Sequence, residues 1–305
     1  RYYLSKRGIS MANARALDRR RRSVRNIRKI TRTMELIATA RFKKAMDRSV
    51  AARDYTEHLA KILKNIAAVG GNLSHPLLQI RPTQRSAVLV LTGNRGLCGG
   101  YNSNAVRQAM VLLGEHSSDE TETHVTVSGK RGINALKFRG ITVDAEHLNF
   151  EDKPAFSEVA PIGESYLKSY IEGDIDRLDV VYTRFVNIAK QEAVAETLLP
   201  LQPPKNEETS VSPVGHLASE EYDFYPSAES ILEEILPASF QSRLFKCFLD
   251  SAVSEQVARM VAMKGATENA SGIIKDLSRR YNRARQSQIT GEIMEILGGV
   301  EALKK

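Results

Sequence analysis

Between Ala12 and Val69 the chain has neither glycine nor proline. These are the two residues that most readily interrupt a helix. Proline removes a backbone donor and clashes with the preceding turn, and glycine loses the most backbone freedom on folding. The stretch therefore predicts a single helix of roughly 85 Å, several times the common length. Such a helix does not hold alone in water and needs a partner along one stripe. One heptad position reads Val24, Thr31, Ala38, Ala45, Ala52, Leu59, Ile66, and a companion reads Ile27, Met34, Arg41, Arg48, Tyr55, Ile62. Only Thr31, Arg41 and Arg48 are neither apolar nor aromatic, which predicts a coiled coil with an imperfect middle.

The opposite end of the chain supplies a matching half. No proline follows Pro237, and one seam reads Val253, Met260, Thr267, Ile274, Tyr281, Gln288. Its companion reads Leu249, Gln256, Met263, Ala270, Leu277, Ala284, Gly291, losing apolar character past Ala284. Two heptad helices at the two ends of one chain pair most simply with each other, antiparallel. Gly265, Gly272, Gly291 and Gly298 lie within this helix. Each costs about 1 kcal/mol relative to Ala, and they mark either local weakness or a close approach of helices.

Between the ends, strands and helices alternate. Ser86–Thr92 is a continuous apolar run, the mark of a strand covered on both faces. Asn102–Gly114, Lys130–Phe138 and Pro154–Glu172 read as helices, and His124–Ser128, Leu178–Val186 and Ala193–Leu201 as strands, the last two antiparallel. This pattern favours a mostly parallel, Rossmann-like sheet with helices on its faces. Pro203–Glu221 reads as a surface loop. The organisation expected is a leader or disordered start at 1–11, an N-terminal coiled-coil helix at 12–69, a central α/β domain at 77–225 and a C-terminal coiled-coil helix at 228–305. The first residue is Arg1, which leaves Met11 as a possible true start.

Charge is unevenly placed. Residues 1 to 50 carry 16 Lys or Arg against 3 Asp or Glu, a local +13 in a chain whose net charge is +8. Such a sector suits an anionic partner, either an acidic protein surface or nucleic acid. The basic run from Arg19 to Arg32 has no interleaved aromatics of the kind single-strand binding uses for stacking. Its plain alternative is a solvated helix face. No apolar run approaches the roughly 20 residues that cross a bilayer. Cys98 and Cys247, the 2 cysteines, cannot make a disulfide framework or a cysteine zinc ribbon.

The loop Gly93-Asn94-Arg95-Gly96-Leu97-Cys98-Gly99-Gly100 joins the buried strand to a helix, where dinucleotide folds cradle pyrophosphate. Its spacing is not GxGxxG and no Walker Lys-Ser/Thr pair follows, so a tight structural turn is the stronger reading. Cys98 near a helix N-terminus is a conceivable nucleophile. None of the 6 histidines stands in a companion or metal-binding motif, however. No carboxylate pair suits acid–base work. No catalytic, cofactor-binding or metal residue is expected.

The motifs themselves carry a resemblance. Ile27-Arg28-Lys29-Ile30-Thr31-Arg32-Thr33-Met34-Glu35-Leu36-Ile37-Ala38 resembles the first-helix signature of the ATP synthase gamma subunit family. Arg95-Gly96-Leu97-Cys98-Gly99-Gly100-Tyr101-Asn102 resembles that family's central Gly-Leu-Cys-Gly motif. The most specific block runs from Ser254-Glu255-Gln256-Val257-Ala258-Arg259-Met260 through Ala266-Thr267-Glu268-Asn269-Ala270. It continues to Tyr281-Asn282-Arg283-Ala284-Arg285-Gln286 and Ile289-Thr290-Gly291-Glu292-Ile293.

The resemblance implies a non-catalytic rotor shaft, its paired terminal helices inside a ring of three α and three β subunits. The α/β domain would meet an epsilon-type subunit (delta in mitochondria) and the c-subunit ring, with no nucleic acid partner. The shaft would couple proton flow to ATP synthesis or hydrolysis. It would be peripheral on the cytoplasmic face of a bacterial inner membrane, or on the matrix side of the mitochondrial one. By position, Met34 would face the acidic lever loop of β, and Arg285, Gln286 and Thr290 its catch loop. Arg259 matches a polar contact position, and Arg95, Gly96, Leu97, Cys98, Gly99 and Gly100 form the structural motif loop. Asn94 replaces a common Asp, Leu36-Ile37 a common Met-Val and Ala40-Arg41 a common Ser-Lys. No cysteine pair of the chloroplast redox type exists, so thiol regulation is not expected. A nucleic-acid-binding coiled coil and a nucleotide-dependent enzyme are the competing readings.

Overall fold

A computed structural model describes residues 2–69, 75–150, 153–201 and 228–303. The chain divides into two compact units, one of Arg1–Ala38 with Met260–Lys305, the other Thr39–Arg259. This division cuts through both terminal helices. Helix α1 spans Tyr2–Val69, starting well before Ala12. The expected loop at Pro203–Glu221 lies outside the described residues.

The larger unit is built on strands β1 (Arg85–Leu91), β2 (Glu122–Ser128), β3 (Ala145–His147), β4 (Arg177–Phe185) and β5 (Gln191–Leu199). Their order is β3-β2-β1-β4-β5. The β1–β2, β1–β4 and β2–β3 pairs are parallel, whereas β4–β5 is antiparallel. Alternation along β1 divides the core in two. Ala87, Leu89 and Leu91 join one cluster with Val159, Leu167 and Tyr170 of α4 (Phe156–Glu172). Leu236, Phe240, Leu244 and Phe248 of α5 (Ala228–Leu303) complete it. Val88 and Val90 join the other, with Val106 and Leu112 of α2 (Tyr101–Ser118) and Ile133 and Leu136 of α3 (Lys130–Phe138). A strand covered on both faces must be apolar, as β1 is from Ala87 to Leu91.

Gly129 links β2 to α3 with φ +100°, and a Cβ there would lie 2.1 Å from the Thr92 carbonyl oxygen. Only glycine fits. In this unit the two long helices also run antiparallel. Ser49 Oγ donates to Asp250 Oδ1 at 3.4 Å, and Thr56 Oγ1 lies 2.7 Å from Ser242 Oγ.

The smaller unit is the other stretch of the same two helices. Thr267 Oγ1 donates to Thr31 Oγ1 at 2.9 Å, and Arg21 lies over the Tyr281 ring, 4.6 Å from its centroid. The residue numbers of the partners rise on one helix as they fall on the other, which fixes an antiparallel pairing. Met263, Ala270 and Leu277 are buried along the α5 seam, as the heptad predicts, and Ala38 and Thr31 along the first α1 seam.

The second α1 seam departs from the expectation. Ile27 and Tyr55 are 50% and 58% exposed, and Arg48 and Ile62 are exposed too. The stripe instead continues one residue later, at Arg21 and Glu35 in the smaller unit and at Phe42, Ser49, Thr56 and Leu63 in the larger. Both i+3 and i+4 are helix neighbours of the first seam. Counting apolar residues favoured the wrong one because the true seam is partly polar.

The structure also decides the reading of Gly265, Gly272, Gly291 and Gly298. A Cβ at Gly265, Gly272, Gly291 or Gly298 would meet nothing within 4 Å, so no helix approaches closely there. These positions are weak points. Gly265→Ala and Gly272→Ala should each raise stability by about 1 kcal/mol, read as a higher thermal midpoint of the full chain. A drop in either variant would mean that the glycines serve a contact.

Candidate functional site: a helix pair and a glycine loop

In the smaller unit, Arg15, Arg19 and Arg22 of α1 and Arg285 and Gln288 of α5 line an open groove of about 390 Å³. One acid, Asp18, sits among them. Arg21 donates to it at 2.6 Å, and Arg22 pairs with its other oxygen at 2.8 Å. The Arg21 hydrogen bond, helped by the charge of Arg22, holds the Asp18 carboxyl below its ordinary range. The arginines along the groove repel one another, and Asp18 offsets part of that.

Met34 is half-buried on α1, while Arg285, Gln286 and Thr290 are exposed on α5. Arg259 belongs to the larger unit and differs in kind. It is 7% exposed and donates Nη2 to Glu255 Oε1 one helical turn earlier. The expected polar contact residue is therefore committed within its own chain.

The motif loop sits at the mouth of β1. Arg95, Leu97, Gly99 and Gly100 are exposed and Gly96 is half-buried. Leu97 holds a left-handed φ of 63°, an uncommon backbone for a branched side chain. Asn94 ties the loop to its surroundings, accepting from the Lys130 N–H at 2.9 Å and donating to the Leu148 and Phe150 carbonyls. Cys98 is 2% exposed, and Asn102 Nδ2 donates to its sulfur at 3.1 Å. Burial, and then the Glu255 charge, push the Cys98 thiol up, against the lowering that a helix N-terminus alone would bring. A thiol in that state is a poor nucleophile. Cys247 is likewise buried, which pushes its thiol far up. Among the described residues no group of three His, Cys, Asp or Glu side chains could hold a metal ion, and no helix is long and apolar enough to cross a membrane.

Two charge networks, one buried and one half-buried, escaped the sequence reading. Asp179 on β4 is 1% exposed and takes hydrogen bonds from Thr197 Oγ1 at 2.6 Å and Arg177 Nη2 at 3.0 Å, with His116 Nε2 at 3.5 Å. It fastens the end of α2 to β4 and β5. Glu196 on β5 accepts from Tyr182 at 2.7 Å and pairs with Arg184 and with Arg243 of α5. No apolar periodicity announces such pairs.

Comparison with known proteins gives the geometry its context. Residues 13–303 match the family model described as ATP synthase. An ATP synthase gamma chain of Rhodopirellula baltica is 61% identical over 295 residues, covering 96% of this chain and all (100%) of that one. That of Frankia casuarinae is 41% identical, covering 93% and 96%. A solved structure titled as the rotor of the Euglena gracilis mitochondrial ATP synthase in rotational state 1 superposes with a TM-score of 0.63 at 19% identity, covering 91% and 99%. The class these matches define is that of ATP synthase subunits. Within it, the chain belongs to the ATP synthase gamma chain family.

Asp250 supplies a pH prediction. Burial pushes its carboxyl up to about 6, with the nearby Glu196 charge adding to the rise and Lys246 and the Ser49 hydroxyl opposing it. A raised native pKa means that folding favours the protonated form. That contribution is fully present below about pH 4, the unfolded range, and is lost as pH rises through about 6. Asp250→Asn should therefore gain about 2–3 kcal/mol at pH 8 and little at pH 4. Denaturant melts at the two pH values check this. Equal effects at both would contradict it.

Proposed function

We propose that this chain is the central shaft of a rotary proton-translocating ATP synthase. It would turn inside a ring of three α and three β subunits, coupling proton flow to ATP synthesis or hydrolysis without an active site of its own. The observation that carries the reading is near-full-length identity of 61% to an ATP synthase gamma chain. The antiparallel pairing of the terminal helices fits it, because a paired helix resists bending and twisting in a way that a lone helix does not.

Further partners follow from the same reading: a c-subunit ring, and an epsilon-type subunit against the α/β domain. The chain would be peripheral to the membrane through the c ring, on the cytoplasmic face of a bacterial inner membrane. Identity to bacterial gamma chains supports the bacterial placement. The groove of arginines suits acidic segments of β, since guanidinium forks match carboxylates in two-point contacts.

Met34, Arg285, Gln286 and Thr290 are proposed as contacts to β. The last three are exposed and free to reach a partner, and Met34 is half-buried on the same pair of helices. Arg259 would touch β only after its pair with Glu255 opens, so its weight in the contact is smaller.

Because Arg285 and Gln286 are exposed, Arg285→Ala and Gln286→Ala should leave the isolated chain folded, within about 0.5 kcal/mol. Loss of one charge-assisted contact, about 1.5–3 kcal/mol, should slow ATP-driven rotation about tenfold or more for Arg285→Ala. Single-molecule rotation of the reconstituted complex reads this directly. Parental rotation in both variants would remove these residues from the contact.

A further inference from the structure

We propose that the strap running from His75 into β1 is an acid-released latch: the neutral His75 ring holds the buried Leu77 in the core, and protonating that ring lets it go. The strap opens with a single 3-10 turn, Pro76–Leu78. Pro76 has no N–H, so the first backbone donor of the turn is that of Leu77. This N–H donates to His75 Nδ1 at 3.1 Å. A backbone N–H can bond only to a ring nitrogen that carries no proton. The contact therefore fixes a neutral imidazole with its hydrogen on Nε2.

Asn, Asp, Ser or Thr ordinarily takes such a capping place, and each accepts through an oxygen. Histidine differs, because protonation turns both ring nitrogens into donors and the acceptor is lost. His75 is half-buried, within reach of solvent protons, whereas Leu77 is fully buried. A buried donor left without a partner is costly, so the turn would move rather than stay. Much depends on that turn. Leu77 belongs to the cluster that also holds Leu199 and Leu201 at the end of β5 and Leu232 and Leu236 near the start of α5. Its carbonyl accepts from the Leu201 N–H at 2.8 Å, which ties the strap to the chain just past β5.

The far part of the strap is held by groups that do not change charge near neutrality. The Tyr170 hydroxyl donates to the Gln79 carbonyl at 2.9 Å, and Arg81 Nη1 donates to the Tyr170 carbonyl at 3.2 Å. Acid thus frees the near end first. Burial pushes the His75 ring down, and the Glu233 carboxylate of α5, the charged side chain acting on it, pulls the other way. A lowered native pKa means that folding favours the neutral ring. The latch is fully closed above the ordinary imidazole value of about 6.5, and its contribution is lost as pH falls through the lower native one. All these residues lie in the larger unit, and the latch does not rest on the shaft reading.

Amide hydrogen exchange of residues 77–81 and of Leu201 in the full chain tests the latch, with protection corrected for intrinsic rates at about pH 7.5 and about pH 4.5. The parental chain should lose protection about fivefold between the two, the size of a lost cap. His75→Asn keeps an oxygen acceptor at both pH values, so its protection should match the parental level at the higher pH and persist at the lower. His75→Ala, with no acceptor, should be unprotected to the same extent at both. Equal acid loss in the parental chain and His75→Asn, or parental protection of His75→Ala at the higher pH, would each overturn the latch. Should His75→Ala fail to fold, the comparison of the parental chain with His75→Asn decides alone.

Discussion

Two helices of 68 and 76 residues cannot stand in water on their own hydrogen bonds. Their pairing with each other is the constraint on which the rest of the structure depends. It is antiparallel in each compact unit, and it is more polar than an idealised coiled coil. Thr31 meets Thr267, Arg21 covers Tyr281, and Ser49 meets Asp250. Small and polar seam residues give less burial energy per turn than leucines would. They also fix register, because a hydroxyl pair is satisfied at one alignment and unsatisfied one residue away.

The α/β unit is bound to this pairing through α5. Leu236, Phe240 and Leu244 enter the core beneath β1 and β4, and Ser251 meets the Tyr101 hydroxyl at the start of α2, just past the loop at the mouth of β1. The sheet thus grips the helix at a hydrophobic base and again at a polar contact. A helix meant to transmit force needs attachment at more than one point, and these two are chemically distinct. Arg285 and Gln286 lie exposed in the other unit, Arg285 on the edge of the basic groove.

Much of this was legible in the residues. The apolar run of β1, the α3 boundaries and the antiparallel β4–β5 pair follow directly from pattern, and the α5 seam is the one its heptad predicts. The misses have physical reasons. Strand β3, Ala145-Glu146-His147, is a short edge with no apolar run. The second α1 seam was hidden because its half-buried face includes the polar residues Glu35, Ser49 and Thr56, each next to the expected Met34, Arg48 and Tyr55. Asp179 and Asp250 are buried, and Glu196 half-buried, against partners far away in sequence, which no local spacing encodes.

The pairing itself is open to a direct chemical measurement. In a chain with Cys98 and Cys247 replaced by alanine, Thr31→Cys and Thr267→Cys place two thiols where hydroxyls now lie 2.9 Å apart. Mild oxidation should then give an intramolecular disulfide in nearly all molecules, while Ile27→Cys with Thr267→Cys, from the exposed face, should give little. Equal cross-linking from both pairs, or none from the first, would contradict an antiparallel seam running through Thr31.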